Sequence, residues 1–292
     1  MRGIIVKGIA GFYYVNVDGQ VYQCKARGIF KKKGILPYVG DEVMIEITDE
    51  KDDEGVINEI LPRKNSFSRP PIANVDCFVI VISLADPEPN LTILDKFLVM
   101  AEKARTESII CINKIDLLSK KTKEAIAEIY KPLYPVVYMS GHTGEGIAEL
   151  KTLLAGKKSA LAGPSGVGKS TLLNRLQWGL DVETGVVSRK TKRGKHTTRH
   201  VEIFSMDFGG MIYDTPGFTS FEILDADEDE LQFLYPEILK LVGGCKYDNC
   251  RHVNEPGCAV VDAFKIGVIH PSRYRSYVSQ ITEIQEREKT KW

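Results

Sequence analysis

The chain has 292 residues, 43% of them hydrophobic, with 39 basic and 39 acidic side chains and no net charge. That length accommodates two or three units with sizeable cores, and the balanced charge excludes a protein that coats nucleic acid by bulk electrostatics. No apolar run approaches the ~18 residues of a membrane span, and the opening Met1-Arg2-Gly3-Ile4-Ile5-Val6-Lys7 lacks the apolar stretch and cleavage site of a secretory signal, so a cytoplasmic protein with no membrane partner is expected.

Residues 1–65 read as all-β. Phe12 to Val17 and Gln20 to Ala26 are apolar and aromatic runs joined by Asp18-Gly19, a hairpin signal. In Asp41 to Thr48, Val43, Ile45 and Ile47 alternate with Met44, Glu46 and Thr48, the pattern of a half-buried strand, and Gly55 to Leu61 makes another. About five short strands in this length predict a small barrel of the OB type. Lys25, Arg27 and Lys31-Lys32-Lys33 tilt it toward RNA, but acids match the basic residues, and a barrel for protein contacts fits as well.

Pro62 to Pro71 reads as a linker. From residue 66 to 224 strands alternate with helices, which predicts a mostly parallel sheet covered on both faces. Cys77 to Leu84 is a continuous apolar run, the sign of a strand buried on both sides. Leu91 to Arg105 has helical spacing at Leu94, Phe97, Leu98 and Ala101; Ser108 to Ile112 is a strand; Lys120 to Tyr130 is helical. Val136 to Met139 and Ser159 to Ala162 are strands, Gly146 to Leu154 and Lys169 to Leu176 helices, and Val201 to Ser205 pairs with Gly210 to Tyr213 as a hairpin.

Four motifs sit at the ends of these strands. Asn113-Lys114-Ile115-Asp116 suits a guanine reader: the Asp116 carboxylate accepts both N1–H and the 2-amino group, whereas adenine would leave it desolvated and unpaired. Lys114 can lay its alkyl stem over the base, Asn113 can tie the base loop to the phosphate loop, and Ser140-Gly141 can offer backbone N–H groups to the guanine O6. Gly163-Pro164-Ser165-Gly166-Val167-Gly168-Lys169-Ser170-Thr171 fits the phosphate-binding loop, with Lys169 on the β- and γ-phosphates, Ser170 on Mg²⁺ and Thr171 at the helix N-terminus. Asp214-Thr215-Pro216-Gly217 fits a switch in which Asp214 serves Mg²⁺ and the Gly217 N–H meets the γ-phosphate.

Between the last two motifs lies a basic stretch, Arg189 to His200, containing His196-Thr197-Thr198-Arg199. Thr198, or else Thr197, is expected to complete the Mg²⁺ shell and sense the γ-phosphate. Many GTPases orient the attacking water with a glutamine just after the switch glycine. Here that position is Phe218, which cannot hydrogen-bond water. His196 then becomes the internal candidate for catalysis, with contact to phosphate or RNA as its alternative role.

Beyond residue 224 the pattern changes. Asp225, Asp227, Glu228, Asp229 and Glu230 open a helix where negative charge suits the dipole. Cys245, Cys250, His252 and Cys258 supply three thiolates and an imidazole, a set for one structural, tetrahedral Zn²⁺. Lys246, Asp248, Asn249 and Arg251 make the stretch too polar for unliganded core cysteines, and without Cys-x-x-Cys a redox pair is disfavoured. Pro271 to Lys291 reads as a charged helix with Tyr274, Tyr277, Val278, Ile281 and Ile284 on one side.

The base motif comes before the phosphate loop, the reverse of ordinary GTPases. With the barrel ahead of it and the Cys-Cys-His-Cys knot behind, the whole chain resembles the ribosome small-subunit-dependent GTPase A (RsgA) family. The resemblance implies an OB-fold at 1–65, a circularly permuted GTPase at 66–224 and a helical zinc-binding domain at 225–292. It implies a GTPase, slow alone and stimulated by the small (30S) subunit, that contacts 16S rRNA and assists late maturation. The chain is expected to be a monomer with no role on DNA. A GTP-sensing RNA-binding module with incidental hydrolysis is the competing reading, and Asp116 argues against a P-loop ATPase or nucleotide kinase.

Overall fold

In the computed structural model, Asp18 and Gly19 both take positive φ, 51° and 97°, which closes a two-residue turn. It joins β2 (Phe12–Val17) to β3 (Gln20–Ala26), with β1 (Arg2–Ile9) before them and α1 (Gly28–Lys32), β4 (Glu42–Asp49) and β5 (Glu54–Ile60) after. The strands run in the order β1-β2-β3-β5-β4, and β4 pairs back onto β1 through Arg2↔Met44, Gly3↔Val43 and Ile4↔Glu42. The five-stranded barrel therefore closes, and closure removes its open edges. Ile5, Val15, Cys24, Val43 and Ile57 fill it, each fully buried.

The described residues are 1–117, 126, 128–177, 201–214 and 226–290. They fall into two units, each built from separate stretches of chain. The first takes residues 1–78, 147–161, 169–177 and 201–214; the second takes 79–117, 128–146, 162–168 and 226–290, with residue 126.

In the first unit the segment expected to be a plain linker carries a short hairpin instead, β6 (Ser66–Ser68) with β7 (Pro71–Ala73). Its prolines hide the signal, but Ile72 is fully buried and the Phe67 ring meets Phe78 edge-on at 5.2 Å, so burial fixes it. β8 (Cys77–Ser83) follows, every residue buried, with only Cys77 and Phe78 in this unit. Next in this unit come α3 (Ile147–Leu154), β11 (Lys158–Ala162), α4 (Lys169–Gln177), β12 (Glu202–Ser205) and β13 (Met211–Asp214), numbered in chain order with α2, β9 and β10 of the second unit. β11 and β13 are parallel, β12 returns antiparallel on β13, and β12 also pairs antiparallel with β1. The barrel and the α/β sheet thus share one hydrogen-bonded edge.

In the second unit α2 (Leu91–Lys103) buries Leu94, Phe97, Leu98 and Ala101. β9 (Glu107–Asn113) lies between β8 and β10 (Val136–Tyr138), parallel to β10. The helical C-terminal region comprises α5 (Glu228–Leu231), α6 (Pro236–Leu239), α7 (Ala259–Lys265) and α8 (Pro271–Lys289). Asp227 caps α5 by accepting from the Glu230 N–H at 2.7 Å, as the acidic run predicts. Tyr277, Ile281 and Ile284 of α8 form a core with Leu231, Tyr235, Ile238 and Val260 that also takes in Val99 of α2. Most of the helix expected over 120–130 lies outside the described residues.

Candidate nucleotide and metal sites

β9 ends on Asn113, which is almost wholly buried and makes two hydrogen bonds. Its Nδ2 donates to the Val167 carbonyl at 2.8 Å, and its Oδ1 accepts from the Gly141 N–H at 3.0 Å. One amide thereby joins the base loop, the phosphate loop and the turn after β10. Lys114 takes a positive φ of 62° and donates its Nζ to the Asp86 carbonyl at 2.5 Å. A strained backbone at this spot fits a functional loop. Asp116 lies in a 3₁₀ turn, Ile115–Leu117, where the Ser140 hydroxyl donates to its Oδ1 at 2.6 Å. That bond holds the Asp116 carboxyl below the usual carboxylate range, so it stays an acceptor. Ser140 in turn accepts from the Thr143 N–H at 3.0 Å, and the Gly144 N–H closes the turn on the Ser140 carbonyl at 2.8 Å.

The phosphate loop shows why two of its glycines are needed. A Cβ on Gly163, at φ 131°, would sit 2.1 Å from the Val81 carbonyl oxygen; one on Gly168, at φ 96°, would sit 2.3 Å from Asn113 Nδ2. A side chain at either position would push the loop off the strand or off the base motif. Val167 is buried, Pro164 half-buried, and Ser165 and Gly166 are exposed at the tip. Lys169, Ser170 and Thr171 form the first turn of α4, with Ser170 and Thr171 exposed. Burial pushes the Lys169 ammonium down to about 8, and an anion brought to it would favour the charged form again.

Asp214 is the last residue of β13 and faces Glu202 across the hairpin. The donor chemistry fits a nucleoside polyphosphate with a hard cation. A glycine-opened loop of this kind can turn backbone N–H groups to phosphate, and a serine hydroxyl and an aspartate carboxylate, as Ser170 and Asp214 carry, are oxygen donors of the type Mg²⁺ prefers. His196, Thr197, Thr198, Gly217 and Phe218 lie outside the described residues.

The donor atoms of Cys245, Cys250, His252 and Cys258 lie within 4.8 Å of one another. Cys245 Sγ is 3.8 Å from Cys258 Sγ, and His252 Nδ1 is 3.4 and 3.3 Å from those sulfurs. Tetrahedral zinc with ordinary bond lengths demands edges of ~3.8 Å between sulfurs and ~3.6 Å between sulfur and nitrogen. All six cysteines are unpaired by disulfides, so these thiols are free to ligate. His252 Nε2 lies 3.0 Å from the Gln232 side-chain oxygen, which can only accept. The proton is therefore on Nε2 and the Nδ1 lone pair faces the sulfurs, the orienting bond that zinc-binding histidines use. Gln232 has no motif around it, and only the folded chain brings it to His252. We expect equimolar zinc by atomic emission; Cys258→Ala should lose it and lower the melting temperature, as should a strong chelator. Zinc retained in full by that variant would refute the site.

A model of the RsgA GTPase family matches residues 60–224, and a model of the RsgA N-terminal domain matches residues 2–57. The chain belongs to the RsgA GTPase family. The small ribosomal subunit biogenesis GTPase RsgA of Caldanaerobacter subterraneus subsp. tengcongensis is 46% identical over 293 residues, spanning 100% of this chain and 98% of that one. The protein of the same name from Alkaliphilus metalliredigens is 45% identical and spans 98% of each. The crystal structure of YjeQ from Thermotoga maritima superposes with a TM-score of 0.84 at 39% identity, covering 97% of this chain and 98% of that one. That of YloQ, described as a circularly permuted GTPase, gives 0.80 at 37% identity over 98% and 95%. The fold is accordingly that of the family: an OB-like barrel, a circularly permuted GTPase and a C-terminal Cys₃His cluster.

Proposed function

We propose that this chain hydrolyses GTP to GDP and phosphate while bound to the small ribosomal subunit, and that the particle, through its 16S rRNA, raises turnover during late maturation. The observation that carries this reading is the Asn113 to Val167 hydrogen bond, which joins a guanine-reading loop to a phosphate loop 54 residues away. The names of the full-length relatives supply the ribosomal context.

In this reading the barrel occupies residues 1–65, the GTPase 66–224 and the zinc-binding region 225–292. Asp116, Lys114, Ser140 and Gly141 read and hold guanine. Residues 163–171 cradle the phosphates, with Lys169 drawing electron density from the β–γ bridge as charge develops there. Ser170, Asp214 and Thr198 would hold Mg²⁺, which would offset phosphate charge. Gly217 meets the γ-phosphate, and His196 orients or deprotonates water. The protein acts in the cytoplasm as a monomer.

Turnover with and without purified small subunits, with ATP as competitor, tests the reading. We expect strong stimulation, GTP selectivity, and loss of at least ~10³-fold in stimulated turnover for Lys169→Ala. GTP affinity should also weaken as pH rises through about 8, because neutral Lys169 no longer attracts phosphate. Full stimulated turnover in Lys169→Ala and His196→Ala together would refute the mechanism. GTP-dependent binding to the particle without stimulated turnover would favour a nucleotide-sensing module instead.

A further inference from the structure

Asp214 ends a strand held on one face by the barrel and on the other by the β6-β7 hairpin. Directly opposed residues of an antiparallel pair point to the same side of the sheet. Asp214 opposes Glu202 on β12, and Glu202 opposes Lys7 on β1 of the barrel. Lys7 Nζ lies 3.0 Å from Glu202 Oε2, with about a third of each side chain exposed. Three strands thus line up a cation, an anion and the switch carboxylate in one row. Two carboxylates directly opposed destabilise a sheet unless a cation relieves them, and the barrel supplies that cation.

The other face of the strand is held one residue earlier. The Tyr213 hydroxyl is buried and donates to the Ala73 carbonyl at 2.5 Å. The space beside that bond is left by Gly40, where a Cβ would fall 2.2 Å from the hydroxyl and 2.3 Å from the Ala73 oxygen. No other residue type leaves this room.

We propose that Lys7, Glu202 and Tyr213 are positioning residues through which the barrel and the β6-β7 hairpin set the orientation and electrostatic field of Asp214, and so the Mg²⁺ affinity of the nucleotide site. The inference deepens the function proposed above and rests on Asp214 serving the metal. Lys7 keeps Glu202 from adding its full charge beside Asp214. Whatever draws on Lys7 or shifts β1 is then felt at the metal.

The test is the Mg²⁺ concentration that half-saturates binding of a fluorescent, non-hydrolysable GTP analogue to the full chain, with thermal melting alongside. Lys7→Gln leaves Glu202 unshielded and should lower that concentration; Glu202→Gln should raise it, each by ~3–5-fold for charges this close and this exposed. Tyr213→Phe, which loses only the hydroxyl, should raise it ~2-fold or more by loosening the strand end. The swapped pair Lys7→Glu with Glu202→Lys decides between roles. It remakes the ion pair and should recover the melting temperature, yet it places a cation beside Asp214 and should raise the Mg²⁺ requirement further. A swap that restores both quantities, or single variants that shift in the same direction, would overturn the inference. Asp214→Asn separates the two layers. If it moves the Mg²⁺ requirement while the Lys7 and Glu202 variants do not, the inference alone falls. If it moves nothing, Asp214 is not at the metal and the inference falls with that assignment.

Discussion

Asp116→Asn should cost the protein ~10²-fold or more in GTP affinity and transfer its preference to xanthosine triphosphate. In the proposed role the carboxylate would accept two N–H donors from guanine; an amide offers one oxygen and one N–H₂, so the guanine amine would meet a donor instead of an acceptor. Xanthine carries a carbonyl where guanine carries that amine, and the introduced amide can satisfy it. The local frame supports an isosteric change. Ser140 would still donate to the side-chain oxygen it now meets at 2.6 Å, and the Asn113 bonds to Val167 and Gly141 do not involve position 116. Competition between the two triphosphates for the Asp116→Asn variant measures the switch. Undiminished GTP selectivity would remove Asp116 from base reading.

Arg273→Leu should be the most damaging single change in the second unit. Arg273 is 1% exposed on α8 yet fully engaged. Its Nη1 donates to Asp95 Oδ1 of α2 at 2.6 Å, and its Nε and Nη2 grip Glu237 of α6 at 2.7 and 3.1 Å. The guanidinium also lies 4.5 Å over the Tyr235 ring, and Tyr130 donates to Asp95 at 2.9 Å. Removing the cation of a buried ionic cluster leaves the charge of its carboxylates uncompensated, at a cost of about 3–5 kcal/mol. For a body of this size that is a fall of ~10 °C or more in melting temperature. Arg273→Leu combined with Asp95→Leu should recover part of the loss, since the stranded carboxylate goes too. Because α2 leads into β9 and its terminal Asn113, the single variant should also bind GTP more weakly. A melting curve within ~2 °C of the unaltered protein would show that the cluster does not hold α8 to the GTPase.

The C-terminal region is therefore tied to the GTPase through α2 by charge as well as by the apolar contact of Val99. Lys96 adds an ion pair to Glu283 of α8 at 2.5 Å, and Lys103 one to Glu230 at 2.9 Å. The Cys₃His region is thereby anchored on the helix that precedes the base motif. The base motif and the Cys₃His cluster are thus linked through the body of the second unit and not only by the chain that joins them.

Much of this was legible one residue at a time. The hairpin at Asp18-Gly19 follows from two residues that tolerate positive φ, and β2 and β3 have the limits that their apolar runs predict. Cys77 to Ser83 had to be buried on both faces because it contains no polar alternation. The helical spacing at Leu94, Phe97, Leu98 and Ala101 names the buried face of α2. The phosphate loop, the base motif and the Cys₃His set are short because their chemistry needs particular atoms at fixed separations along the backbone. Contiguous or near-contiguous residues satisfy that requirement, so sequence alone displays it.

Other features come from the tertiary structure. α1 and the hairpin β6-β7 are too short for periodicity to reveal, and each is anchored by a buried side chain, Phe30 and Ile72. Arg273, Asp95 and Gln232 look like ordinary surface residues in the sequence, since charged and amide side chains are usually exposed. Only the fold brings Arg273 to its carboxylates across 178 and 36 positions, and Gln232 to His252 across 20. The row of Lys7, Glu202 and Asp214 belongs to the same class, for cross-strand register is a property of paired strands and of neither strand by itself. Local backbone demands and atom-specific chemistry thus determined the motifs and most elements. The long-range pairing that charges and buried amides require, to be satisfied once water is excluded, was decided in three dimensions.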